Sequence, residues 1–181
     1  GRCPGCSEWG TLVEEQVASS SRGTGRVLTG IVAPVRLSEV PGGDDPRVPT
    51  GVSEFDRVLG GGLVPGSLVL LGGEPGIGKS TLVMQVLGHL SGHVRALLVT
   101  GEESPKQVQG RAARLAVACG DVEVIAETNL ERVVQLIEAK VHAVVAVDSV
   151  QTLSSDELDG APGTVGQVRQ AAAELMRAAK S

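Results

Sequence analysis

The chain has 181 residues, a net charge of −5 and no tyrosine. It is long enough for one α/β core with a modest appendage, and it lacks the overall basic character that would point to nucleic acid, though a local basic groove is not excluded. Three cysteines do not make a disulfide framework, no apolar run reaches the roughly 18 residues that span a bilayer, and no charged-then-apolar leader opens the chain, so a reducing, cytoplasmic setting is the default.

The apolar residues are nearly all Val, Leu and Ala, with one Phe and one Trp. Small aliphatics suit closely spaced helices on a parallel sheet. Their dominance also argues against aromatic platforms for stacking single-stranded bases, although arginine stacking can partly substitute.

Residues 1–16 hold Cys3-Pro-Gly-Cys6, Trp9 and Gly10. The cysteine spacing is that of a zinc knuckle, in which two thiolates on one tight turn bind tetrahedral zinc. A structural zinc takes four ligands, and Cys119 lies too far along, within an expected helix. His89 and His93 lie close together at the end of another expected helix, where capping or solvent exposure explains them. Cys3 and Cys6 are therefore half a zinc site at most, with the other pair upstream of Gly1; metal-free disorder of 1–16 stands as an equal alternative. A start without Met and a stop at Ser181 inside a helical pattern suggest a fragment.

Residues 17–46 are rich in Ser, Gly and Pro, carry Arg22, Arg26 and Arg36, and are expected to be a linker with a short extended piece at Val27–Val32. From Arg47 to Ser181 the texture becomes alternating apolar strands and amphipathic helices. Ser67–Leu71 is expected to be a buried strand, Ser80–Leu90 a helix and Arg95–Thr100 a second strand. Ser104, Pro105 and Gln107 form a capping box for a helix that Gly120 would end. Val122–Ala126 is a third strand. Thr128 and Glu131 propose another capping box, followed by Leu130, Val133, Val134 and Ile137 at helical spacing. Ala143–Val147 is a fourth strand closed by Asp148. Thr164 and Gln167 would cap a last helix presenting Val168, Ala171, Ala172, Leu175 and Met176 on one face. Such alternation predicts a mostly parallel sheet covered on both sides.

The run Gly73-Glu74-Pro75-Gly76-Ile77-Gly78-Lys79-Ser80, followed by Thr81, fits the phosphate-binding loop G-x-x-x-x-G-K-[ST]. Glycines let the backbone curl its N–H groups toward phosphate oxygens, and the following helix turns its positive end on the same anion. Lys79 supplies a mobile charge for the β and γ phosphates, and the Ser80 hydroxyl a ligand for magnesium. The flanking strand and helix set this run apart from an ordinary glycine-rich turn. ATP or a close relative is the expected ligand. Five apolar residues, Ala143–Val147, are followed by Asp148, which supplies the second magnesium residue, acting through water. Hydrolysis needs a group to orient or deprotonate water. Glu102 is the first candidate and Glu103 the second, against the even alternative that both are solvated residues ahead of the Ser104 cap. Gln151 is placed to sense the γ-phosphate, with an exposed loop residue as the equal alternative.

Taken together, VPTGVSEFDRVLGGGLVPGSLVLLGGEPGIGKSTL, TGEES, VDSVQTL and the opening GRCPGCSEWGTLVEE resemble the bacterial RadA (Sms) family of DNA repair proteins. The segment APGTVGQVRQAAAELMRAAK is similar to the one that follows the magnesium aspartate in that family. KaiC-type ATPases share the approach to the phosphate loop but lack the cysteine module, and rank second. The resemblance implies a RecA-like ATPase core, assembling into a homo-oligomeric ring and moving on single-stranded DNA and branched intermediates beside a recombinase. It implies Lys79 and Ser80 for phosphate and magnesium, Asp148 for magnesium, Glu102 for water activation, and the Cys3–Cys6 half of a zinc module. The region resembling a DNA-facing loop, 154–163, is acidic here (Asp156, Glu157, Asp159), which counts against phosphate contact by its side chains. The family's Lys-Asn-Arg-Phe-Gly motif and its C-terminal protease-like domain are absent, which puts motor activity in question more than nucleotide binding. A nucleotide-gated assembly switch is the runner-up reading, and a small-molecule phosphotransferase the weakest.

Overall fold

In this computed structural model the described residues are 34–40, 46–157 and 160–181. Cys3, Cys6, Asp159 and the expected extended piece at 27–32 lie outside them. The chain divides into two units, Gly1–Gly43 and Asp44–Ser181. The described part of the first is a single 3-10 turn, Leu37–Glu39, beside an exposed ion pair of Arg36 with Glu39.

The second unit begins with a strap. Val48 pairs antiparallel with Leu63 around a short helix α1 (Ser53–Val58). Asp56 accepts hydrogen bonds from the Thr50 amide at 2.8 Å and the Thr50 hydroxyl at 2.7 Å, which satisfies a fully buried threonine. At Gly62, φ is +135°, and any side chain would run into the Val48 carbonyl, so the strap closes only around a glycine.

Beyond the strap come α2 (Lys79–Ser91), β1 (Ala96–Thr100), α3 (Pro105–Arg114), β2 (Val122–Ala126), α4 (Leu130–Glu138), β3 (Val144–Asp148) and α5 (Val165–Lys180). The strands form one parallel sheet in the order β2-β1-β3. Every residue of the central strand β1 is buried, because its two faces carry separate cores. Leu97 and Val99 pack with Leu130, Val133, Ala171 and Leu175 from α4 and α5. Ala96 and Leu98 pack with Met84, Leu87 and Val108 from α2 and α3. The alternation of side chains along a strand produces this division. The path from β1 to β2 goes through α3, and the return past β1 to β3 goes through α4. Reversal of direction in a sheet with uniform crossover hand puts the two helices on opposite faces, and it makes the carboxyl ends of β1 and β3 a switch point.

Several expectations need correction. Ser67–Leu71 is not a strand: Leu70 is 81% exposed, and Leu68 and Val69 are exposed with it. An apolar run becomes a strand only where a neighbour takes its backbone groups, and the three strands pair among themselves without it. The α3 helix stops at Arg114 rather than near Gly120. Ala116 turns left-handed at φ +50°, and the Val117 amide bonds back to the Ala112 carbonyl, a helix ending usually made by glycine. Cys119 therefore lies in the following loop, half-buried beside Met84. The cap of α4 is Asn129, whose side chain accepts the Arg132 amide at 2.9 Å, and not Thr128. Thr164 precedes α5 without a side-chain capping bond. Gln167 turns inward instead, accepting the Ser155 amide at 2.9 Å and donating to the Ser155 and Gly160 carbonyls. Met176 faces solvent, and Ala178 takes the expected buried place.

Candidate active site

A short link, Gly92–Arg95, joins α2 to β1, and Met84 and Leu87 of α2 pack on Ala96 and Leu98 of β1. The helix thus runs antiparallel to the strand. Thirteen helical residues cover about 20 Å and five strand residues about 17 Å, so the first turn of α2 returns to the level of the strand's carboxyl end. Lys79, Ser80 and Thr81 come to the same edge of the sheet as Thr100 and Asp148, which are register partners.

The loop before α2 takes its shape from glycine. Gly76 and Gly78 have φ of +79° and +105°, and Gly78 is the left-handed residue at the start of the helix. A Cβ at either would meet nothing within 4 Å, so this side of the loop is open space. Leu82 is the first residue of α2 to bond back within the loop and helix, to the Gly78 carbonyl at 2.9 Å. The amides of Lys79, Ser80 and Thr81 before it are the donors that a helix start leaves without an intrahelical partner. The Lys79 ammonium donates to the carbonyls of Gly73 at 2.9 Å and Glu74 at 2.8 Å, which holds it at the mouth of the loop. Glu74, Pro75 and Ile77 form the exposed outer wall. Open space, orphan amides and a tethered cation fit a polyphosphate. The Ser80 hydroxyl and the Asp148 carboxylate are hard oxygen ligands of the kind magnesium takes. Among the described residues no group of three or more His, Cys, Asp or Glu is gathered for a metal. The sequence expectation of a strand leading into the loop does not hold; a mostly exposed segment without regular secondary structure precedes it.

At the carboxyl end of β1, the Gly101 amide donates to the Asp148 carbonyl at 3.3 Å, and the Glu103 amide to the Thr100 hydroxyl at 3.0 Å. These bonds send the two glutamates in different directions. Glu102 is exposed and lies 3.5 Å from both the Ser149 hydroxyl and the Gln151 amide nitrogen. Glu103 turns inward onto Arg111, with 2.8 Å between Oε2 and Nη2. The other guanidinium nitrogen, Nη1, stands 3.6 Å from Asp148. Sequence reasoning singled out Glu102, Glu103, Gln151 and Asp148, and the fold brings all four to one edge. It missed Arg111 and Ser149. Arg111 had a faint signal: it follows Val108 by three positions, which places it on the buried face of α3.

The family model described as ATPase: KaiC matches residues 48–154, from the strap to the loop beyond β3. The chain belongs to that ATPase family. The KaiC-type match spans the phosphate loop and both carboxylate-bearing strand ends, and the parallel sheet between two helical layers is that of a RecA-like P-loop ATPase core. The chain is also similar to proteins named DNA repair protein RadA. That of Halalkalibacterium halodurans is 45% identical over 185 residues, covering 100% of this chain and 40% of the relative. That of Pseudomonas aeruginosa is 47% identical over 182 residues, covering 99% and 40%, and that of Bacillus subtilis 43% identical over 186, covering 100% and 41%. The chain thus spans about 40% of the length of these relatives. No helix among the described residues is long and apolar enough to cross a membrane.

Proposed function

We propose that this chain is the ATP-hydrolysing core of a RadA-type DNA repair protein of the cytoplasm. The observation that carries the reading is similarity to RadA proteins along 99–100% of the chain, at 43–47% identity in the three relatives compared. In this reading the amides of Gly76–Thr81 and the Lys79 ammonium bind the phosphates of ATP. Ser80 and Asp148 hold magnesium, which neutralises phosphate charge when bound. Glu102, exposed beside Ser149 and Gln151, orients the attacking water and takes its proton. Turnover is coupled to movement on single-stranded and branched DNA, in a homo-oligomeric ring working beside a recombinase.

The KaiC-type family match favours a second reading, in which ATP binding holds subunits together and hydrolysis resets a regulatory state. Turnover of ATP with and without single-stranded DNA separates the two, measured on a chain of the relatives' full length. Stimulation by DNA supports the motor, and indifference at saturating DNA rejects it in favour of the switch.

A further inference from the structure

The mechanism above leaves Arg111 without a role, although its side chain is only 16% exposed and lies at the centre of the carboxylate edge. Among the described residues it is the one cation ion-paired with either Glu103 or Asp148. Its two arms are unequal. The contact with Glu103 is a close ion pair at 2.8 Å, whereas Asp148 stands farther off at 3.6 Å. Neither the buried Nε nor the buried Nη2 has a hydrogen-bond partner among the described residues, so charge and proximity rather than hydrogen bonds hold this fork on Glu103. A side chain on a helix leans toward the helix start, which carries the guanidinium from the second turn of α3 back to the strand ends.

We propose that Arg111 is the positioning residue of the nucleotide site, anchored on Glu103 and sharing Asp148 with the magnesium ion. The proposal rests on the assignment of Asp148 to magnesium made above. Two consequences follow from the charges. The ion pair with Arg111 engages Glu103 and leaves Glu102 as the free carboxylate beside Ser149 and Gln151. The same guanidinium opposes a dication at Asp148 to an extent set by how firmly Glu103 holds it, because a cation near 4 Å competes directly for the carboxylate.

Opposite substitutions should therefore move the magnesium requirement in opposite directions. The readout is binding of a fluorescent ATP analogue to the chain as magnesium chloride is titrated, with no turnover needed. Arg111→Gln frees Asp148 and lowers the half-saturating magnesium concentration by about threefold to tenfold. Glu103→Gln releases the guanidinium onto Asp148 and raises it by a similar factor. Arg111→Lys keeps a charge but cannot span two carboxylates, so its midpoint falls between those of the unmodified chain and Arg111→Gln. Thermal melts establish that each variant folds; if Arg111→Gln does not, the rise in Glu103→Gln still decides. An unchanged midpoint in Glu103→Gln, or shifts of the same sign in both variants, overturns the proposal. Asp148→Asn in the same assay separates the two levels. If it leaves the half-saturating magnesium concentration unchanged, the assignment of Asp148 to magnesium fails; if it raises that concentration while Arg111→Gln and Glu103→Gln leave it in place, the role of Arg111 alone fails.

Discussion

Thr152 stands where a side chain on Gly101 would go, its hydroxyl donating to the Ser149 carbonyl at 2.7 Å. The loops after β1 and β3 therefore meet with the Thr152 side chain packed directly on the Gly101 backbone, and Glu102 can lie against Ser149 and Gln151. A β-branched threonine cannot move aside cheaply. Gly101→Ala should cost about 1–3 kcal/mol through overpacking, and it should lower ATP turnover more than nucleotide affinity. Chemical denaturation beside steady-state kinetics checks both; an unperturbed variant would mean that the two loops are not locked together.

Lys79 is tied to the carbonyls of Gly73 and Glu74, at the mouth of a loop kept open by glycine. Lys79→Ala should leave the helix and sheet intact, since the ammonium is no part of either core. Affinity for ATP should fall by about a hundredfold or more, a loss of roughly 3 kcal/mol or more. Equilibrium titration with a fluorescent nucleotide measures it. Retained affinity would remove the phosphates from this loop.

Glu102→Gln keeps the side-chain shape and removes the carboxylate proposed as the base. Binding should persist while turnover drops by about a hundredfold or more. Glu103→Gln should reduce turnover less, because that carboxylate faces Arg111 rather than the open edge. Single-turnover hydrolysis compares the two, and the reverse order would exchange their roles.

Gln167 is buried, and its amide ties α5 to the loop after β3 through Ser155 and Gly160. Gln167→Leu would strand those backbone groups and should destabilise the fold by about 1–3 kcal/mol per unsatisfied group. Urea titration tests this; a neutral substitution would show that the loop solvates its backbone without the amide.

Hydrogen bonds from the Thr50 backbone and hydroxyl hold the Asp56 carboxyl below the ordinary aspartate range. A lowered folded value means that the contribution is fully present above the unfolded value, about pH 4. It is lost as pH falls through the folded value. Asp56→Asn should thus melt earlier than the unmodified chain at pH 7, with the gap narrowing below about pH 4. Melting curves across that range test the sign, and a gap that widened in acid would refute it.

Local chemistry was legible wherever neighbours in sequence settle the outcome. The Ser104–Gln107 capping box forms as read, with the Ser104 amide donating to the Gln107 side chain at 2.8 Å. The strand Val122–Ala126 has the bounds expected of it, β1 starts one residue later than expected, and β3 is shifted by one residue at both ends. Failures occurred where a distant partner decides. Ser67–Leu71 has the composition of a strand but no strand beside it. Gln167 has the spacing of a cap, yet the Ser155 amide and the Gly160 carbonyl draw its side chain inward.

The phosphate loop, the two glutamates and the aspartate that closes a strand were determined by sequence alone, because each rests on residues a few positions apart. Only the tertiary structure decided that Glu103 belongs to Arg111 while Glu102 stays free. That outcome depends on α3 laying its buried face across the ends of β1 and β3, and ion pairs form by distance in space rather than by spacing along a chain.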